Sequence, residues 1–385
     1  MAISARVIYL NEAASAWPRA PGVAEAMAAE DALPLAVPGR TAWQRRDVRW
    51  ECRTRLAALL GGLDPSRIAL VPSATQALNL SILGLRLPRG AEVVTSCAEH
   101  NSVLRPLLHL SDRKRIHLTI VGLDHSGAID RETFAEAMRR GPALVALTHA
   151  SNVTGRVFDV AALFRQANAV RAVTLLDASQ TLGHIPVHPQ ALHADLVAFA
   201  GHRGLRGPIG LGGLYVAPHI DLSPRAFGAV EPHEVVLPPL PEMPLCLEPG
   251  TPDVPSLAGL CAALDWWEQH AEGYQQQATH LTTLLRAGLK RIAGVQCFDA
   301  SGRGPRVPIV SFRVAGWGVD DLARALVEQF GVHSRAGLHC APLVHKAIGS
   351  RPEGTVRFSL SGVNTEEEVG DALRAVRELA IHRPV

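Results

Sequence analysis

Several short stretches of this chain carry side chains that could do chemistry. In Ser73-Ala74-Thr75 a strand-like apolar run over residues 67–72 gives way to helical spacing. A strand feeding a helix start leaves backbone N–H groups open to an anion, and serine is a residue type that caps such a start. His100 follows an apolar run over residues 92–96, and Asn152 sits in the polar loop Ser151-Asn152-Val153-Thr154-Gly155 after another. Asp177 ends the apolar run Leu175-Leu176, with Gln180 three residues on. A carboxylate there needs a partner, because an unpaired buried charge is costly; a helix cap or a core salt bridge is one way to supply it. Cys340 stands beside His339, and a thiolate is a nucleophile, although a free cysteine more often packs inertly. Arg357 has the planar fork that meets a carboxylate with two parallel hydrogen bonds. His202-Arg203 lies in a glycine-rich loop after the run at 195–200.

The elements that must position these groups alternate along the chain. Short apolar runs at 116–121, 143–149, 173–177, 195–200 and 213–216 are interleaved with helical patterns at 131–140 and 160–168. This alternation predicts an α/β fold whose mostly parallel sheet is covered by helices on both faces. Ligands of such sheets sit beyond the carboxyl ends of the strands, where the polar stretches fall. An amphipathic helix is expected over residues 43–60, and two long helical patterns over 256–291. A strand follows at 308–314 and a helix at 319–330. Prolines crowd residues 232–255, which reads as an irregular loop.

Composition narrows the function classes. The chain has 385 residues, 47% of them hydrophobic and 19% charged, which fits an ordinary globular protein with a large core. A net charge of +2 gives no reason to expect a nucleic-acid partner. No run approaches the eighteen or so apolar residues of a membrane span, and the first residues lack a positive segment followed by an apolar one. The cysteines Cys52, Cys97, Cys246, Cys261, Cys297 and Cys340 form no Cys-x-x-Cys pair and no metal-ligand rhythm with histidine. A cytoplasmic protein with reduced thiols and no metal site is expected. Lysine is scarce, with Lys114, Lys290 and Lys346 alone.

Taken as whole blocks, these stretches resemble the cysteine desulfurase and selenocysteine lyase branch of the class V aminotransferases. The blocks are Ala74-Thr75-Gln76-Ala77-Leu78-Asn79, Glu99-His100-Asn101-Ser102, Ser151 to Gly155, Asp177-Ala178-Ser179-Gln180, Ala200-Gly201-His202, Glu248-Pro249-Gly250-Thr251-Pro252, Arg335-Ala336-Gly337-Leu338-His339-Cys340 and Thr355-Val356-Arg357-Phe358-Ser359. The resemblance implies the pyridoxal 5′-phosphate (PLP) fold type I, with a large α/β domain over residues 18–254. A smaller α+β domain would comprise 1–17 and 255–385. It further implies that Ala74 and Thr75 hold the PLP phosphate, that His100 lies flat on the pyridine ring and that Asn152 lies near cofactor and substrate. Asp177 would pair with the ring nitrogen and Gln180 with the ring hydroxyl, with His202 also at the cofactor. Arg357 would grip the substrate carboxylate, Ala14 of Asn11-Glu12-Ala13-Ala14-Ser15 would sit near the substrate, and Cys340 would carry persulfide. Thr251 would reach the phosphate of a partner subunit, which implies a homodimer with shared sites, an amino-acid substrate and a sulfur-accepting protein.

The sequence departs from that pattern at Gln76, where the family has glutamate, and at two further places. The residue after His202, a lysine in the family whose amine holds PLP as a Schiff base and moves protons, is Arg203. A guanidinium is not a free amine at ordinary pH and cannot replace it. The glycine-rich stretch that members carry further on is Arg225-Ala226-Phe227-Gly228-Ala229-Val230-Glu231 here. The expected function is handling of an amino acid with a Cβ–sulfur or Cβ–selenium bond, with PLP held noncovalently. The alternatives are a lysine-to-arginine variant of a desulfurase, a noncovalent binder of a preformed PLP–amine adduct, a catalytically silent partner or scaffold, and a related lyase or epimerase.

Overall fold

The structure, a computed structural model, describes residues 7–34, 46–228, 242–298 and 304–382. Trp43, residues 229–231 of the altered glycine-rich stretch and residues 232–241 of the proline-rich loop lie outside these. The first half of the chain runs β1 (Ile8–Tyr9), α1 (Val23–Asp31), α2 (Val48–Leu59), β2 (Ile68–Val71), α3 (Ala74–Gly84), β3 (Ala91–Ser96), α4 (Asn101–Asp112), β4 (Ile116–Val121), α5 (Arg131–Met138), β5 (Leu144–Thr148), α6 (Val160–Ala169), β6 (Val173–Asp177), α7 (Pro189–Leu192), β7 (Leu196–Ala200) and β8 (Gly212–Val216). The second half runs α8 (Val254–Lys290), β9 (Val295–Cys297), β10 (Ile309–Val314), α9 (Val319–Phe330), β11 (Val332–His333), α10 (Pro342–Ala347), β12 (Val356–Ser359) and α11 (Glu366–Ile381).

Seven strands form one sheet in the order β2-β8-β7-β6-β5-β3-β4. Neighbours from β7 through β4 pair in parallel, and β8 runs antiparallel to both β2 and β7. Strands β5, β7 and β8 are buried throughout, as an apolar run must be when helices cover both faces. One face packs Cys52, Leu56, Phe134, Phe164 and Leu260 from helices α2, α5, α6 and α8, and the other packs Leu78, Ile82, Val103 and Leu107 from α3 and α4. A separate core lies around the antiparallel sheet β9-β10-β12, built from Phe312, Phe358, Leu281, Leu285, Leu326 and Val376. The α/β class with a mostly parallel sheet is thus as the alternation of patterns requires.

The two helical patterns over 256–291 are one helix of 37 residues. Asp253 caps it by accepting from Ser256 N at 3.0 Å, and neither proline nor a cap interrupts its interior. Gly259, Gly273 and Gly288 weaken it by about 1 kcal/mol each, which burial on both sides outweighs. The first half of α8 belongs to the large-sheet core and the second to the small-sheet core. Among the described residues no helix is long and apolar enough to cross a membrane.

Candidate functional site

The parallel strands end on one polar cavity lined by Ala74, Thr75, Leu78, His100, Ser102, Thr148, Asn152, Asp177, Ser179, Gln180 and Arg203. Its floor is the start of α3. Ser73 is extended and its Oγ accepts from Gln76 N at 3.2 Å, which leaves the N–H groups of Ala74 and Thr75 without an intrahelical partner. Strand β8 approaches this start so closely that a Cβ on Gly212 would lie 2.8 Å from Ala74 N and 2.6 Å from Phe199 O. Glycine is needed there for space.

A hydroxyl chain leads from α3 to His100. Thr75 Oγ1 and Ser102 Oγ are 2.8 Å apart, and Ser102 Oγ is 2.8 Å from His100 Nδ1. His100 also caps α4, its Nδ1 accepting from Ser102 N at 3.0 Å. That acceptor role leaves the ring proton on Nε2. Burial holds the imidazole below its ordinary value although Asp177 pulls the other way. His100 is therefore a neutral ring presented to the cavity.

Asp177, 5% exposed, closes β6 and accepts from Ser179 N at 2.9 Å. No cation lies within ion-pair distance of it among the described residues. Glu99 is fully enclosed nearby. Burial pushes its carboxyl up to about 8, Ser96 donates to its Oε1 at 2.5 Å, and its Oε2 has no partner. At neutral pH Glu99 is therefore protonated. Gln180 donates from Nε2 to Ala13 O at 3.2 Å, which ties the cavity to the segment carrying Ala14.

Arg203 enters the cavity from the loop after β7. Gly204 lets that loop press on the next one, since a Cβ there would fall 2.3 Å from Leu182 O. Arg206, 1% exposed with φ of 57°, anchors it: Nη1 donates to Glu12 Oε2 at 3.3 Å and Tyr274 OH at 3.1 Å, and Nη2 donates to Pro18 O. Ala16 N donates to His202 O at 2.8 Å, and Arg206 N to Arg203 O at 2.8 Å. The Nε of Arg203 is enclosed with no hydrogen-bond partner. Burial lowers its pKa, Asp177 raises it, and Arg335 lowers it further.

Residues from the second half of the chain meet the cavity region through Asn152 and Asn101. Arg335 and Arg357 face each other across an antiparallel bridge, Arg357 N donating to Arg335 O at 2.7 Å and Arg335 N to Arg357 O at 3.3 Å. Arg335 Nη2 donates to Cys340 Sγ at 3.4 Å. Arg357, 1% exposed, donates from Nη1 to Asn152 O at 2.9 Å and from Nη2 to Asn11 Oδ1 at 3.5 Å, and its Nε has no partner. Burial, then Arg335 and Arg203, bring it down to about 9. Asn152 Nδ2 donates to His339 O at 2.7 Å, and Asn101 N to Cys340 O at 2.7 Å, so the cysteine loop is pinned against the start of α4. His339 and Cys340 both have positive φ, 49° and 59°, an uncommon backbone for such residues that the surrounding bonds must hold. Burial pushes His339 down to about 2, so it is neutral and places the loop rather than charging it.

Of the residues singled out in the sequence, Ala74, Thr75, His100, Asn152, Asp177, Gln180 and Arg203 line one cavity. Arg357 and Cys340 are joined to it through Asn152 and Asn101. Ala14 lies on the turn that accepts from Gln180, its N–H donating to Asn11 O at 3.0 Å. His202 lines no part of the cavity, and burial and Arg203 hold it at about 4. Thr251 is exposed just before α8 and away from the cavity. Sequence reasoning did not single out Ser102, Arg335 or the Glu12–Arg206 pair. Ser102 and Arg335 stood inside matched blocks, whereas nothing local marked Arg206 as buried.

The donor set can be tested against PLP. Orphan N–H groups at a helix start suit a phosphate, and a buried carboxylate without a cation suits a protonated ring nitrogen. These residues fit the ring and phosphate. Arg203 does not fit the covalent tether.

The sequence profile of the family described as Aminotransferase class-V matches residues 8–372. A probable cysteine desulfurase of Methanothermobacter thermautotrophicus is 31% identical over 340 residues, covering 86% of this chain and 83% of the relative. Cysteine desulfurase CsdA of Escherichia coli is 30% identical over 345 residues, covering 86% and 83%. The apo structure of a cysteine desulfurase from Thermococcus onnurineus NA1 superposes with a TM-score of 0.90 at 30% identity, covering 98% of this chain and 95% of that one. With a matching fold, a shared profile and relatives of this kind, the chain belongs to the class V aminotransferases and is cysteine desulfurase-like.

Proposed function

We propose that this protein handles a cysteine-type amino acid at its Cβ–sulfur or Cβ–selenium bond, with PLP held noncovalently and Cys340 as the sulfur-receiving thiol. Class V aminotransferases and cysteine desulfurases are PLP enzymes, and the polar set of such a site is present around one cavity while the tether is not. That pairing is the observation that carries the reading. When bound, the cofactor supplies an electron sink for charge developing on the amino acid. Ala74 and Thr75 receive its phosphate, Asp177 the ring nitrogen's proton and Gln180 the ring hydroxyl, with His100 against the ring. Arg357 orients the α-carboxylate and so turns Cβ toward Cys340, whose thiol Arg335 holds by a hydrogen bond.

Arg203 carries a charge and no lone pair at neutral pH, so it neither forms the tether nor takes a proton from the substrate. Loss of positioned proton transfer alone costs about a hundred- to ten-thousand-fold in rate. Arg203 itself therefore favours a second reading, a silent partner of an active relative, which copurification with such a relative would support. We assign the exposed Thr251 to a homodimer contact, as the family pattern implies. The experiment is a visible spectrum of the purified chain with and without PLP, repeated for Arg203→Lys. The expected result is noncovalent binding in the parent and a new visible band with desulfurase activity in Arg203→Lys. Absence of PLP binding in both overturns the reading.

A further inference from the structure

More positive charge gathers around the cavity than the carboxylate in its lining balances. Arg203 lines it, Arg335 and Arg357 lie close enough to act on His100 and on one another, and Asp177 is the carboxylate among the lining residues. His100, His202 and His339 are all held below their ordinary value and stay neutral. Arg335 and Arg357 sit directly opposite on a bridge, where like charges repel. Neither Arg203 nor Arg357 has a partner for its enclosed Nε, and the side chain of Arg203 makes no hydrogen bond among the described residues. A buried guanidinium whose donors go unmet is costly, and this one borders the cavity beside Asn152, whose carbonyl accepts from Arg357.

We propose that Arg203 converts the tether position into an anion seat, which receives the carboxylate of a PLP–amino acid conjugate together with Arg357. The ligand class follows from the charges. One anionic end, a phosphate, goes to the start of α3, and the other, a carboxylate, lies between Arg203 and Arg357. The site thus selects the assembled conjugate over free PLP, which has no carboxylate to offer. Two forks on one carboxylate replace by charge-assisted hydrogen bonds what a covalent bond does elsewhere. This inference rests on the PLP reading above and adds the ligand form that the site prefers.

Isothermal titration calorimetry of the full chain tests it with stable, reduced conjugates. Phosphopyridoxyl-L-alanine carries the carboxylate, phosphopyridoxyl-ethylamine lacks it, and PLP is the third probe. The alanine conjugate should bind the parent about ten- to a hundredfold more tightly than the ethylamine conjugate. In Arg203→Gln that ratio should fall by about tenfold, with binding of the ethylamine conjugate unchanged or stronger. An unchanged ratio in Arg203→Gln overturns the anion seat, because Arg357 alone then accounts for the preference, while the PLP reading stands. No binding of any of the three probes removes the PLP reading and the seat with it. A crystal structure of the parent with phosphopyridoxyl-L-alanine reads the same contact without a variant. Arg203 hydrogen-bonded to the carboxylate supports the seat, and Arg203 turned onto Asp177 refutes it.

Discussion

Replacing Arg206 by methionine tests whether the loop bearing Arg203 is held by the polar network beneath it. Arg206 donates to Glu12, Tyr274 and Pro18 and is 1% exposed, so its loss leaves the Pro18 carbonyl and Tyr274 hydroxyl without that donor. Each such buried group costs about 1–3 kcal/mol. Glu12 behaves differently. Burial raises its carboxyl to about 7 while Arg206 pulls it down, so removing the guanidinium raises it further. Below about pH 7 Glu12 is protonated in both proteins and adds nothing to the difference. Above that, the parent ionises first, and the variant falls behind by about 1.4 kcal/mol for each pH unit until its own carboxyl ionises. The expected loss is about 2–6 kcal/mol at pH 6, growing to about 3–7 kcal/mol at pH 8. Urea unfolding of Arg206→Met, Glu12→Gln and the double variant at both pH values measures it. The double variant should lose at least about 1 kcal/mol less than the sum of the singles. A loss under about 1 kcal/mol, or an equal loss at both pH values, would refute the reasoning.

Two further outcomes follow from the same geometry. Gly212→Ala should cost about 1–3 kcal/mol and weaken PLP binding, because its Cβ can be seated only by moving the start of α3; thermal melting with and without PLP checks both. Stability should peak near pH 6.5. His149, His184, His202 and His345 are held at about 4 and His339 at about 2, so as pH falls below about 6.5 the unfolded chain takes up protons first and stability drops. Glu12 and Glu99, raised to about 7 and about 8, act with the opposite sign, so stability is lost from about pH 4.5 upward as the unfolded carboxyls ionise first. The five histidines outweigh the two carboxyls below about pH 6.5, and only the carboxyls remain above it. A melting profile that rises steadily from pH 6.5 to 8 would contradict these assignments.

Much of the fold was legible because its signals are local. Strands β5 to β8 are largely apolar runs, and Ser73 announces the helix start it caps. The continuity of α8 was not legible, since the patterns on either side of Gly273 face different cores, and only the packing shows that one helix serves both. At the site, residues in polar blocks at strand ends could be picked out one by one. What joins them depends on contacts across hundreds of residues. Asn152 meets Arg357 and His339, and Arg206 meets Glu12, through bonds that no window of sequence contains. The hydroxyl chain Thr75–Ser102–His100 was missed because its Thr75–Ser102 link joins two helix starts that only the packing of α3 on α4 brings together.

The surroundings of position 203 bear on what Arg203→Lys would do. Burial and Arg335 push the guanidinium there below its ordinary value, and Asp177 pulls it up. An amine at this position would feel the same fields from a lower starting value, with Arg357 adding to the downward push. Cations beside a desolvated lysine are what expose its lone pair near neutral pH. The cavity thus keeps the electrostatics that an attacking amine needs, although the residue present cannot use them. Arg203→Lys should therefore attach PLP covalently, and borohydride treatment followed by peptide mass analysis should find the cofactor fixed at the substituted position. If PLP binds this variant but none becomes fixed, the field at position 203 does not act on an amine as argued here, and its surroundings have changed along with the lysine.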